Sequence, residues 1–191
     1  MTGTAFLLAP ILLFLCFFIA FTVRSAAGLR IALGFPLWII LGMQCFRIGV
    51  ERFIHRLSID GLVPKMLTFE GANVDIRIAA SAPLIAWLST RGRTGMKCVL
   101  PWNVLGLLGL ANVVIRAVLT APGPFKLIHA EVPNRIFGTF PFVFIPGFFV
   151  PLAVTLPVLA IRAISSRLRM GIGINLAGAQ RSQADSQPAS A

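Results

Sequence analysis

The sequence predicts an all-α integral membrane bundle of five transmembrane helices, with polar outer loops and a disordered C-terminal tail. Hydrophobic residues make up 57% of the chain and charged residues only 12%, whereas soluble domains are about one-quarter charged. The apolar residues come in five long blocks, and about 20 apolar residues in a helix span the hydrocarbon core of a bilayer. A membrane-embedded helical fold is therefore expected.

The acidic residues give a third observation, because they occur at only two of the connections between the apolar blocks. Glu51, Asp60, Glu70 and Asp75 lie between the second and third blocks, and Glu131 lies between the fourth and fifth. The other connections carry only Lys and Arg. This pattern predicts two chemically different faces.

The bundle is predicted over residues 1–170, followed by a disordered tail over 171–191. The first run is uncharged, is preceded by no Lys or Arg, and is ended by Arg24. It is therefore expected to be a retained helix rather than a cleaved signal peptide. The five predicted spans are about 5–23, 31–50, 75–90, 98–115 and 137–161.

The second and third spans flank a polar segment. Arg47 and Glu51 stand one helical turn apart, which predicts an interfacial helix extension that ends at Gly61. Asn73 or Asp75 is expected to cap the following helix by accepting hydrogen bonds from its free backbone N–H groups. Arg77, in the first turn of that helix, is expected to snorkel or to pair with Asp75 or Glu70.

The fourth and fifth spans contain small residues and prolines. Gly109 and its neighbour Gly106 permit close approach of another helix, and Asn112 and Arg116 fall on the same helical face as Gly109. Arg116 is expected to pair with an outer carboxylate. The fifth run cannot be one straight helix, because four prolines interrupt it: Pro141, Pro146, Pro151 and Pro157.

The candidate functional residues are the polar ones of the outer loops and the few inside the spans. A cluster at the outer face is predicted from Glu51, His55, Glu70, Asn73, Asp75, Arg77, His129 and Glu131. The intramembrane candidates are Asn103, Asn112 and Arg116.

Three functional hypotheses remain open. The first is a membrane protein without enzymatic chemistry, favoured because no P-loop, GxSxG motif or catalytic triad is present. The second is a small-solute or ion transporter with a polar path near Asn112, Arg116 and the bent fifth helix. The third is a metal-dependent membrane enzyme using Glu51, His55, His129 and Glu131. Their spacing matches no known ligand signature, so neither a metal site nor a cofactor is predicted.

The lipid bilayer is the partner that the sequence predicts, while a membrane-protein partner or a homo-oligomer stays an open question. Nucleic-acid binding is not expected, because the cations lie at the ends of apolar runs rather than in a basic stripe interleaved with aromatic residues. The short, purely basic connections favour an outside N-terminus and a cytoplasmic C-terminus. The predicted location is a bacterial cytoplasmic membrane, crossed several times.

Several stretches resemble a family of small, uncharacterised bacterial multi-pass membrane proteins. The resemblance covers roughly residues 45–160 and implies a membrane location without a known activity. It also implies that the polar outer segment and the fourth and fifth spans form one unit. The stretches that carry it are residues 66–76 (MLTFEGANVDI), 102–107 (WNVLGL), 122–125 (PGPF), 131–134 (EVPN), 140–143 (FPFV) and 150–152 (VPL).

Overall fold

The computed structural model describes residues 3–71, 73–122, 126–132 and 134–185. About 78% of the chain is helical, and no strand occurs in these described ranges. The prediction of an all-α fold is therefore confirmed. The helices are α1 (Gly3–Arg24), α2 (Ala26–Gly34), α3 (Leu37–Gly42), α4 (Phe46–Ile59), α5 (Asp75–Leu88), α6 (Gly92–Thr120) and α7 (Val150–Asp185).

Fewer helices than expected are long and apolar enough to cross a membrane. Within the described ranges, two segments qualify by length and composition, Gly95–Thr120 and Ile145–Arg167. A third qualifies if the pair Leu13–Arg24 and Ala26–Gly34, bent by 71°, counts as one span. The other two predicted spans do not qualify, because residues 31–50 are divided among α2, α3 and α4, and α5 has only 14 residues.

The predicted second span, residues 31–50, is broken near its start. Helix α2 ends at Gly34, Phe35 is extended, and α3 begins after Pro36. The break arises because a proline disfavours helical geometry in the preceding residue and lacks an N–H to continue the hydrogen-bond ladder. The other end of this segment matches the prediction, since α4 stops before Gly61, whose φ is 70°.

The fifth apolar run is interrupted, as its prolines predict. A short turn at Ile136–Gly138 and a wide helical turn at Ile145–Phe149 precede α7. Helix α7 then continues to Asp185, whereas the sequence predicts disorder from Gly171. Ala, Leu, Gln and Arg in this stretch favour helix and offset its glycines. The last six tail residues, 186–191, lie outside the described ranges.

One end of the bundle carries basic residues and joins the break between α1 and α2 to α7. The Arg162 guanidinium donates hydrogen bonds to the backbone carbonyls of Thr22 and Ser25. The Thr22 carbonyl lies in the last turn of α1, where helical acceptors lack intrahelical partners and attract a cation, and Ser25 is the N-cap residue of α2. We call this end of the bundle, with the α5–α6 turn at residues 89–91, the basic end.

The opposite end, which we call the acidic end, contains the segments 60–71, 73–74, 121–122, 126–132 and 134–135. Side chains from both connections pack together there, because Val63 and Leu67 share an apolar cluster with Phe137. The Asn134 amide also donates to the Ala117 carbonyl at the end of α6 (3.0 Å). The two polar connections predicted to share a face therefore lie side by side.

Helices α5 and α6 approach closely beneath the acidic end. A Cβ placed on Gly106 would lie 3.1 Å from Ile78 Cγ2, and one on Gly109 would lie 3.3 Å from Val74 Cγ2. Both distances are tighter than ordinary side-chain contacts, so the glycines permit this packing. Their close approach agrees with the sequence pattern and brings α6 against the residues that start α5.

Candidate functional site

Arg47 is at the centre of the candidate site. It lies in the first turn of α4 and is 1% exposed. Its Nη1 donates to Asp75 Oδ1 at 2.7 Å, and its Nη2 donates to the Ala153 carbonyl at 2.6 Å. One guanidinium thus joins α4 to the start of α5 and to α7.

The position of Pro157 explains why a carbonyl of α7 is available to Arg47. In a regular helix the Ala153 carbonyl would accept from the N–H of the residue four positions later, which here is Pro157. Proline has no N–H, so this carbonyl needs another donor. Arg47 supplies it, as expected for a proline within a membrane helix.

Asn73 holds the second half of the cluster together. Its Nδ2 donates to Glu51 Oε1 (2.5 Å) and to the Leu67 carbonyl (3.2 Å). Its Oδ1 accepts from the Asp75 backbone N–H (2.8 Å), so Asn73 caps α5. The tight turn before it requires Gly71, because a Cβ there would lie 2.6 Å from the Lys65 carbonyl oxygen.

A further polar pair lies one helical turn below Arg47. Gln44 Nε2 donates to Asn103 Oδ1 (3.1 Å), and Asn103 Nδ2 donates to the Val99 carbonyl (2.8 Å). Both side chains are 0% exposed. The polar face of this helical segment therefore runs from Gln44 through Arg47 to Glu51, at spacings of three and four residues.

His55 extends this face to the surface of the acidic end. Its ring packs against Phe69, with centroids 4.5 Å apart, and its Nε2 lies 3.7 Å from Glu70 Oε1. The Glu70 side chain is more than half exposed, which leaves the pair partly solvated and weak. The solvent exposure of the side chains on this face therefore decreases from His55 to Gln44.

The Glu51 carboxyl has an unusually high pKa. Its removal from water raises the pKa of the carboxyl to about 7. The hydrogen bond from Asn73 lowers this pKa, the Asp75 carboxylate raises it, and the Arg47 charge lowers it. Burial is the largest of these effects, so a substantial fraction of Glu51 is neutral at pH 7.

A cavity of about 100 Å³ borders this cluster. Its walls are mainly apolar side chains of α4, α6 and the start of α7, and its polar lining comes from Arg47, Glu51, Asp75 and Asn134. Three buried atoms of these residues have no hydrogen-bond partner within the described part of the chain: Arg47 Nε, Glu51 Oε2 and Asn134 Oδ1. Burying such atoms without a partner is costly, so each of the three calls for an explanation.

The structure brings some of the predicted residues together and separates others. Glu51, Asn73 and Asp75 form one cluster, which Asn103 extends through Gln44. His55 and Glu70 lie at its rim. His129 and Glu131 are exposed in the second connection of the acidic end, and no group of three or more His, Cys, Asp or Glu residues placed to hold a metal occurs in the described ranges.

Of the two expectations for Arg77, snorkelling or pairing with Asp75 or Glu70, the pairing is not seen in the described part of the chain, and Arg116 meets no carboxylate there. Arg77 is exposed, and its expected partners are taken by others, since Asp75 pairs with Arg47 and Glu70 with His55. Arg116 donates from Nε to Asn112 Oδ1 (2.9 Å) instead of reaching a carboxylate in the loops. The nearest acceptor one turn away satisfies it at a smaller entropic cost.

Gln44, Arg47 and Asn134 are absent from the candidates predicted by sequence. For Gln44 and Arg47 a signal was present, because they share one helical face with Glu51 within an otherwise apolar stretch. Asn134 gives no comparable periodic signal, because it lies in a connection without regular structure.

Comparison with known families adds a classification. A family model described as "Domain of unknown function (DUF8737)" matches residues 1–165. The chain belongs to this family. The sequence resembles an uncharacterised family, and this match to a family of unknown function confirms that much. No curated protein and no solved structure matches the chain.

Proposed function

We propose that the chain is a multi-pass integral protein of a bacterial cytoplasmic membrane, and that the acidic end holds a non-enzymatic ligand-binding site. The membrane location is supported by the two or three helical segments with the length and composition of spans. It is also supported by the large apolar side chains exposed on these segments, including Phe17, Leu108 and Phe148. Such surfaces match the hydrocarbon core of a bilayer rather than water.

Five crossings follow if the α3–α4 segment and α5 also enter the membrane. Residues 37–50 are helical over about 21 Å, and the rest of α4, from Glu51 onward, extends beyond the membrane. Helix α5 has 14 residues, or about 21 Å, so its crossing needs local thinning of the bilayer or snorkelling ends. The pair between Arg47 and Asp75 neutralises charges that these two segments bring inside. With either three or five crossings, the two termini lie on opposite sides of the membrane.

The proposed orientation, with the acidic end outside, is tested by single-cysteine labelling in spheroplasts with a membrane-impermeant maleimide. The test uses Leu127→Cys, at a position that is 74% exposed, and Thr90→Cys, in the exposed turn between α5 and α6, each as the sole cysteine. We expect Leu127→Cys to react in intact spheroplasts and Thr90→Cys to react only after permeabilisation. The reverse pattern would contradict the orientation.

One observation carries the proposed binding site. Three polar side chains that are 4% exposed or less, Arg47, Glu51 and Asn134, line one apolar-walled cavity, and each has an atom without a hydrogen-bond partner in the described part of the chain. A site that served packing alone would be expected to satisfy these atoms internally. Apolar walls with a few convergent polar groups and a perturbed carboxyl are typical of ligand sites.

Access to this cavity is tested by comparing two cysteines on α6 in a cysteine-free background. Ala117→Cys lines the cavity, whereas Val99→Cys lies in the basic-end core at 0% exposure. Both thiols have apolar surroundings, so the difference in their reaction rates with methyl methanethiosulfonate reports access. We expect Ala117→Cys to react at least about ten-fold faster, because Val99→Cys needs local opening of the core. Equal rates would contradict the binding site.

Transport is a second candidate, favoured by one observation. The polar face of the helical segment does not stop at the cavity but continues inward to Gln44 and Asn103. Below this pair, the basic half is filled by an apolar cluster that includes Leu41, Ala82 and Ala160. A transport cycle would have to open this cluster. Proton or solute flux in proteoliposomes that is lost in Asn103→Leu would favour this candidate over simple binding.

A further inference from the structure

The basic end carries positive charge that no acidic residue of its own segments offsets. These segments, residues 22–36, 86–99 and 160–170, contain eight Lys and Arg and no Asp or Glu. The segments of the acidic end, by contrast, contain three Lys or Arg and three Asp or Glu. All ion pairs within the described part of the chain join residues of α4, α5 and the segment 60–71, so none includes a cation of the basic end. The basic end is therefore complementary to an anionic partner.

Arg91, in the turn between α5 and α6, is placed to bind a phosphate group. Its guanidinium carbon lies 4.2 Å from the centroid of the Trp87 ring. Stacking uses the face of the guanidinium, whereas its N–H donors lie in its plane and stay available to an anion. Trp87 is 52% exposed, and tryptophan favours the headgroup boundary of a bilayer. Arg91 therefore presents its charge at the depth of the lipid phosphates.

Helix α2 presents a second exposed arginine at the same end. It is bent by 71° from the last part of α1, and Arg162 donates hydrogen bonds to two carbonyls at this bend. With α1 as a membrane span, α2 runs close to the membrane plane. Its buried residues are Gly28 and Ala32, whereas Arg30 lies on the opposite face and Ile31 beside it is 48% exposed. A cation beside exposed apolar side chains is typical of a helix at the membrane surface.

We propose that the basic end docks the headgroups of anionic phospholipids, with Arg30 and Arg91 donating hydrogen bonds to their phosphate oxygens. The guanidinium fork matches two oxygens of a phosphate, and clusters of cations next to membrane helices attract anionic lipids. A phospholipid fits better than a soluble anion, because the exposed side chains of Trp87 and Ile31 can contact its acyl chains. This lipid contact requires the membrane location proposed above, but it is independent of the binding site at the acidic end.

Electron spin resonance of the full-length protein, reconstituted in phosphatidylcholine bilayers, tests this lipid preference. Trace phosphatidylglycerol or phosphatidylcholine carries a spin label near the end of one acyl chain, and the motionally restricted fraction gives the relative association constant of each lipid. Both leaflets have the same composition, so the result does not depend on the orientation of the protein. We expect an association constant at least about five-fold higher for phosphatidylglycerol, a difference of about 1 kcal/mol.

The native protein distinguishes a wrong lipid preference from a wrong membrane location. Equal association constants for the two lipids would overturn the proposal and favour an acidic protein segment as the partner of the basic end. A protein that restricts the motion of neither lipid would overturn the proposed membrane location as well.

Two double variants with the same change in net charge locate the contact. Arg30→Gln with Arg91→Gln removes the proposed phosphate donors, whereas Arg52→Gln with Arg135→Gln removes two arginines near the acidic end. All four side chains are exposed, so both double variants should fold. We expect the first variant to lose most of the preference for phosphatidylglycerol and the second to keep it within about two-fold. Equal losses in the two variants, or no loss in the first, would overturn the proposal.

Discussion

Replacing Arg47 with methionine is expected to lower the free energy of unfolding by about 3–5 kcal/mol, because it leaves the buried Asp75 carboxylate without its counter-charge. The same change leaves the Ala153 carbonyl without a donor, since Pro157 cannot supply one. Methionine keeps a long apolar side chain in this space. The lost free energy of unfolding therefore reflects removal of the guanidinium rather than creation of a cavity. Reversible unfolding by SDS in mixed micelles measures the difference.

The matched control is Arg52→Met, on the exposed side of the same helix. It removes the same charge at a solvated position, and its effect should stay within about 0.5 kcal/mol. The double variant Arg47→Met with Asp75→Leu should be less destabilised than Arg47→Met alone, because replacing both members of a buried pair is often close to neutral. A loss for Arg47→Met no larger than that for Arg52→Met would contradict its assigned role.

Replacing Asn73 with leucine is expected to cost about 3 kcal/mol or more, since each buried polar group left without a partner costs about 1–3 kcal/mol. Three groups lose their partner at once: Glu51 Oε1, the Leu67 carbonyl and the Asp75 backbone N–H. The loss includes the cap of α5, so the start of that helix should fray as well. Unfolding in SDS and amide hydrogen exchange of residues 75–78 measure the two effects.

Asn134→Leu provides the comparison for Asn73→Leu. Asn134 is equally buried, at 4% exposure, but donates one hydrogen bond, to the Ala117 carbonyl. We therefore expect its replacement to destabilise the protein less than that of Asn73. Equal losses for the two variants, or unchanged exchange at the start of α5, would mean that Asn73 does not organise the cluster.

The features that the sequence predicted correctly depend on local chemistry. Helix α4 stops before Gly61 because that residue adopts a positive φ, and α5 starts where Asn73 caps it. The prolines of the fifth run interrupt it whatever surrounds them. The grouping of Glu51, Asn73 and Asp75 was also predictable, because all three lie in one polar connection between apolar runs.

The features that the sequence did not predict depend on packing between distant segments. Arg47 meets Asp75 across 28 residues and the Ala153 carbonyl across 106 residues. The second contact follows from Pro157 only when α4 is known to lie against α7. The cavity is likewise a property of three elements together, since α4, α6 and the start of α7 supply its walls. Local sequence patterns do not predict such contacts between segments that are distant in the chain.

Glu51 is held, largely out of water, against an apolar cavity, and one of its oxygens has no hydrogen-bond partner in the described part of the chain. Infrared difference spectroscopy of the protein in lipid, from pH 5 to 9, measures this directly through the carbonyl band of the protonated carboxyl. Because burial raises the pKa of Glu51 to about 7, the band should persist through pH 6 and disappear as the pH rises past 7. Glu51→Gln, which keeps an oxygen for Asn73, should lack it. Identical spectra for the two proteins across this range would contradict the burial of a protonated Glu51 carboxyl.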